Sequence, residues 1–122
     1  MQISGRQVGQ ATIFDVVGDI DLANSPQLRK ALLREIREMR RPRVVMNLIK
    51  VRYIDSSGVG MIVFQQKTLR QSGGDMKLLH LNRRSETLFG MLKLLIVFET
   101  FEDEAAAVRS FTSPVKRPAP SA

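Results

Sequence analysis

The stretch Tyr53-Ile54-Asp55-Ser56-Ser57-Gly58-Val59-Gly60 limits the fold more than any other part of the chain. Before it an apolar run of strand length stops, and after it an apolar run of helical length begins, so the chain turns a strand-to-helix corner there. Ser56 or Ser57 is expected at the N-cap or in the first turn of the new helix. At that position unsatisfied backbone N–H groups and the positive end of the helix dipole favour an anion. A hydroxyl there can cap the helix, or it can carry a phosphoryl group that the same amides solvate.

On either side of the corner the periodicities alternate between strand and helix. Ile3 to Val8, a turn at Gly9-Gln10, and Ala11 to Val17 predict a hairpin of two strands. Gly18-Asp19-Ile20-Asp21 ends the second strand. Asn24-Ser25-Pro26 then opens a helix, with Asn24 as the capping side chain and Pro26 in the first turn. Leu28, Leu32, Ile36 and Met39 place an apolar stripe on one side of that helix, and Arg41-Pro42 ends it. Val44 to Ile49 is almost continuously apolar, as in an interior strand covered on both faces. After the corner, Val59 to Phe64 predicts a helix buried at its start, which stops at Ser72-Gly73-Gly74 with a left-handed glycine. Gly60 is expected to allow close helix–strand packing. Met76 to Leu81 predicts the next strand and Asn82 the cap of a helix from Arg83 to Leu92, with Leu88, Met91 and Leu92 inward. Ile96-Val97-Phe98 predicts a short last strand. Thr100 or Asp103 opens a final helix with Ala105, Val108 and Phe111 as its apolar face. The order β-β-α-β-α-β-α-(β)-α gives an α/β domain with a mixed, mainly parallel sheet packed by about four helices. Residues 1–112 form that domain, and 113–122, with three prolines and no apolar period, form a disordered tail.

The 122 residues suffice for one domain with a real core, and 43% apolar with 25% charged residues is an ordinary globular balance. No apolar run is long enough to span a bilayer and no basic-then-apolar leader opens the chain, so a soluble cytoplasmic protein is expected, with no membrane partner. The absence of cysteine excludes disulfides, thiolate catalysis and cysteine-ligated zinc. The formal net charge is +7, and seven cations against two glutamates fall between Arg29 and Arg43. No aromatic side chain lies between those charges for base stacking, so a solvated helix face or an acidic protein partner ranks ahead of nucleic acid.

No catalytic constellation follows. Ser57 lacks the glycine two residues ahead of it that a nucleophile elbow requires. The single histidine, His80, is expected inside a strand as a structural residue. Gly58-Val59-Gly60 and Gly73-Gly74 extend into neither a dinucleotide fingerprint nor a phosphate-binding loop. Asp19, Asp21 and Asp55 do not have the alternating oxygen ligands of a calcium loop, and they read as capping or surface carboxylates rather than a metal site. Neither cofactor nor enzymatic activity is expected.

Gly18-Asp19-Ile20-Asp21, Asn47-Leu48 and Tyr53-Ile54-Asp55-Ser56-Ser57-Gly58-Val59-Gly60 resemble the STAS domain family, most nearly its bacterial anti-sigma factor antagonists. The similarity runs from about Ile3 to Phe111. It implies that Ser57, or as second choice Ser56, is phosphorylated by an anti-sigma factor that is also a serine protein kinase. The unmodified protein would bind that kinase and release the sigma factor, and a PP2C-type phosphatase would reset it. The docking surface implied comprises Asp21, Asn24, Asp55, Ser56, Ser57, Gly58 and Val59, on a monomer or weak dimer. A STAS scaffold or sensor module, nucleotide-binding or regulating secretion, is the alternative. Such antagonists commonly carry a glycine in the loop near the last strand, where this chain has Lys93-Leu94-Leu95.

Overall fold

The computed structural model describes residues 1–37 and 42–112. Five strands, β1 (Gln2–Val8), β2 (Ala11–Val17), β3 (Arg43–Lys50), β4 (Asp75–Leu79) and β5 (Thr100–Phe101), form one sheet in sequential order. The hairpin β1/β2 is antiparallel, and the pairs β2/β3, β3/β4 and β4/β5 are parallel. Helices α1 (Ser25–Ile36), α2 (Ser56–Gln71) and α3 (Arg83–Met91) make the crossovers, and α4 (Glu104–Arg109) follows β5. Right-handed crossovers between sequential parallel neighbours put α1, α2 and α3 side by side on one face.

The alternation of β2 and β3 divides the core in two. Phe14, Val16, Val44, Met46 and Leu48 pack with Leu28, Leu32, Ile62, Leu69 and Phe89 on the three-helix side. Ala11, Ile13, Val45 and Leu79 meet Ala107 of α4 on the other, with Val8, Phe101, Val108 and Phe111 at the margin. Val44, Val45 and Met46 are successive and all fully buried, as a central strand covered on both faces requires.

Several expectations are corrected. The last strand is Thr100–Phe101, whereas Leu94–Ile96 is a turn of 3-10 helix. Of Ile96, Val97 and Phe98 only Phe98 is buried, in edge-to-face contact with Phe89 at 5.7 Å between ring centres. The peptide carbonyl of Val97 accepts from Gln66 Nε2 and Arg70 Nη2, so α2 takes the contact that a strand ladder would have needed. Lys93, in the Lys93-Leu94-Leu95 loop where the resemblance implies a glycine, takes a left-handed conformation with φ of 58°. The inward side of α3 is Ser85 and Phe89. Leu88 is half-buried, and Met91 and Leu92 are exposed because the helix ends there. In α4 the buried residue is Ala107 and Ala105 is exposed. His80 lies just beyond β4 in left-handed geometry, φ 61°, rather than inside the strand.

Asp103 opens α4 by accepting from Ala106 N, and Gly73, φ 81°, is the left-handed residue after α2. The continuation of α1 through Met39 to Arg41, and the tail 113–122, lie outside the described residues.

Candidate docking site at the β3–α2 corner

Asp55, rather than either serine, is the N-cap of α2. Its φ and ψ of −90° and 179° are extended, and its Oδ1 accepts from Gly58 N at 2.8 Å. The other oxygen, Oδ2, accepts from Leu22 N at 3.1 Å, and the Asp55 amide donates to Ile20 O at 3.1 Å. A single carboxylate therefore starts α2 and ties it to the loop that follows β2. Ile20 also bridges to Ile54 in parallel, with Ile20 N donating to Tyr53 O at 2.9 Å. The β2–β3 ladder is thus prolonged by one bridge, and the loop of residues 19–24 comes to lie against the corner.

That loop has its own closure. Asp21 O accepts from Ser25 N at 2.7 Å, and Asp21 Oδ1 accepts from Asn24 N at 2.9 Å. The Asn24 side chain does not cap α1 as expected. Its Nδ2 donates to Asp19 O at 3.1 Å, so it closes the turn while the Asp21 carbonyl receives the amides of Asn24 and Ser25. The Asp55 carboxylate caps a helix, as expected, whereas the Asp21 carboxylate closes the turn before α1 without capping it.

Ser56 and Ser57 occupy the first two positions of α2. Ser56 is exposed and Ser57 half-buried, and among the described residues neither hydroxyl makes a hydrogen bond. Gly58 and Val59, expected on the docking surface, are buried at the start of α2. Val59 joins the core on the three-helix side. A Cβ on Gly58 would sit 2.4 Å from Ile20 O, so close approach of α2 to the loop requires glycine at that position. Gly60 has nothing within 4 Å of a built Cβ, and the packing role expected of it belongs to Gly58.

The structure adds residues that sequence reasoning missed. Leu22 is 72% exposed at the edge of the corner loop, and between Asp21 and Ala23 no apolar period of the sequence sets it apart. Tyr53 is partly exposed, with the Arg84 guanidinium 5.8 Å from its ring centre. Asn82 caps α3 through Oδ1 and donates Nδ2 to Arg52 O at 3.0 Å, so the start of α3 is fastened beside the corner. No spacing in the sequence announced that fastening.

The family model for the STAS domain matches residues 2–107. The anti-sigma-B factor antagonist of Listeria monocytogenes is 32% identical over 100 residues, covering 81% of this chain and 85% of the relative. The chain is a STAS domain of the anti-sigma factor antagonist family. The anti-sigma F factor antagonist of Paenibacillus polymyxa is 26% identical over 108 residues, 88% of this chain and 92% of that one. Among solved structures, unphosphorylated SpoIIAA, an anti-sigma factor antagonist, superposes with a TM-score of 0.76 at 19% identity, covering 94% of this STAS domain and all of that chain. The phosphorylated form of SpoIIAA, a Bacillus cell fate determinant, gives a TM-score of 0.71 at 19% identity, covering 90% of this chain and 99% of that one. At such identities the superpositions establish the shared fold. Among the described residues no helix of this STAS domain is long and apolar enough to cross a membrane.

Proposed function

We propose that this STAS domain binds an anti-sigma factor with serine-kinase activity through the corner and the loop of residues 19–24, and that phosphorylation of Ser57 ends the binding. The docking surface is formed by Asp21, Asn24, Asp55 and Ser56 with Ser57 at its centre, and Leu22 and Tyr53 supply apolar contacts. Gly58 and Val59 shape it from beneath. The protein works in the cytoplasm as a binding partner rather than an enzyme, and a PP2C-type phosphatase reverses the modification.

The observation that carries this reading is the unused Ser57 hydroxyl in a corner whose capping is done by Asp55. Because no cap depends on that hydroxyl, a phosphoryl group can be added without unfolding α2. The group brings about −1.5 to −2 charge and three acceptor oxygens next to the Asp55 carboxylate. The surface thereby becomes wrong for its partner while the scaffold stays intact. A penalty of about 3 kcal/mol lowers affinity about a hundredfold, enough for an on/off response.

Incubation with the cognate kinase and ATP, followed by peptide mass spectrometry, tests the reading. One phosphate on Ser57 is expected, retained in Ser56→Ala and lost in Ser57→Ala. Undiminished labelling of Ser57→Ala refutes the assignment.

A further inference from the structure

The first two crossover helices leave a seam between them that starts at the corner. Both begin at the carboxyl ends of adjacent parallel strands and run back over the same face of the sheet, so they lie side by side in the same direction. On α2, Ser57, Met61, Phe64 and Thr68 recur at helical spacing along one side. On α1 and its C-cap, Arg29, Leu33 and Arg37 do the same. Leu33 and Arg37 meet Thr68, Leu69 and Ser72 around a groove of about 270 Å³, which shows that these two stripes face each other.

The surface chemistry of the seam is unusual for a solvated helix pair. Phe64 is 58% exposed, one turn before Thr68 on the same side of α2 and beyond the residues that line the groove. Arg29, Lys30, Arg34 and Arg37 of α1 and Lys67 of α2 are exposed. Over Ser25–Ile36, α1 carries three cations and one acid. An apolar floor of Leu33, Ile36 and Leu69 with cations along the α1 bank complements an amphipathic helix with an acidic flank.

We infer that the seam between α1 and α2, from Ser57 down to Ser72, receives an acidic amphipathic helix of the partner protein. The inference extends the reading of Ser57 as the switch and rests on it for its regulation, because Ser57 lies at the head of the same stripe. Leu33 and Phe64 contact the apolar side of the incoming helix, and Arg29 and Arg37 pair with its carboxylates. A phosphoryl group on Ser57 then places negative charge where an acidic helix must enter, so one modification disturbs both corner and seam. Nucleic acid fits less well, since the groove is lined by Leu33, Ile36, Pro42 and Leu69, and Phe64 offers one ring rather than a row of stacking surfaces.

The probe is a synthetic, fluorescein-labelled amphipathic helix with leucines on one face and glutamates on its flanks, titrated into the full chain and followed by anisotropy. Saturable binding that weakens with salt is expected, with amide chemical shifts moving at Leu33, Phe64 and Thr68. The double reversal Arg29→Glu/Arg37→Glu should weaken it about tenfold or more, as should Phe64→Ser, with circular dichroism unchanged. Equal binding of a peptide with glutamine at every glutamate overturns the inference. So does retention of affinity by the double reversal, or preferential arginine-dependent binding of a DNA duplex. Concentration-dependent dimerisation abolished by Phe64→Ser also overturns it, in favour of a second copy in the seam. Ser57→Ala should bind the peptide normally. A failed peptide titration with intact phosphotransfer to Ser57 therefore defeats the seam alone, and the converse result defeats the switch alone.

Discussion

Gly58 and Gly60 lie two residues apart in the first turns of α2, and alanine should act on them in opposite directions. In an ordinary helix either change is favourable by about 1 kcal/mol, because alanine loses less backbone entropy. At Gly60 nothing opposes that gain, since a built Cβ finds no atom within 4 Å. At Gly58 the new methyl group would lie 2.4 Å from Ile20 O and 2.8 Å from Ile20 Cγ2. That carbonyl cannot swing away, because it accepts the Asp55 amide at 3.1 Å. Overpacking against fixed backbone costs about 1–3 kcal/mol, and the upper part of that range less the helix gain leaves a net loss of about 1–2 kcal/mol. Gly60→Ala should gain about 1 kcal/mol, so the two variants should differ by about 2–3 kcal/mol. At roughly 3–6 °C per kcal/mol for a domain of this size, the melting temperatures should separate by on the order of 10 °C. Urea unfolding of the wild type and both variants measures the difference directly. If Gly58→Ala is as stable as Gly60→Ala, α2 is not held against the β2–α1 loop as described, and the derivation of the docking surface from that contact fails.

Two further outcomes follow from buried and paired polar groups. Arg6 hydrogen-bonds both Asp15 and Glu104, and the guanidinium holds both carboxyl groups below their ordinary pKa values. Lowered pKa values stabilise the fold above the unfolded-state carboxylate range, and that stability is lost as pH falls through the folded-state values. Arg6→Gln should therefore flatten the acid limb of a stability-versus-pH curve, by no more than about 1 kcal/mol since the ions are partly exposed; an unchanged acid limb would falsify the pairing. Gln65 is buried in α2 with neither side-chain amide atom hydrogen-bonded among the described residues. Gln65→Met should raise urea stability by about 1–2 kcal/mol by removing that unsatisfied amide, and a loss of stability would contradict this.

Local signals carried most of the architecture. The hairpin, the central strand, the strand-to-helix corner, the Asn82 and Asp103 caps and the left-handed Gly73 depend on neighbours within a few residues, so they could be read from spacing and residue type. Errors gathered where one sequence pattern admits two structures. Leu94 to Phe98 has the composition of a strand, but Lys93 turns the chain and the Val97 carbonyl is taken by Gln66 and Arg70 of a distant helix. At the corner three residues in a row, Asp55, Ser56 and Ser57, are all acceptable caps. The choice of Asp55 follows from its second hydrogen bond, to Leu22 N, across 33 positions of chain.

The linear chain sufficed to specify the order of strands and helices, the buried centre of the sheet and the position of Ser57 at the start of a helix, because each rests on hydrophobic period or local capping. Folding in three dimensions decided which glycine admits the close approach, which oxygen caps α2, which residues of the corner reach solvent, and that α1 and α2 leave a groove lined by Leu33, Ile36 and Leu69 beside Arg37. Those properties depend on contacts between segments far apart in sequence, and residue type and spacing do not encode which distant backbone atom will arrive.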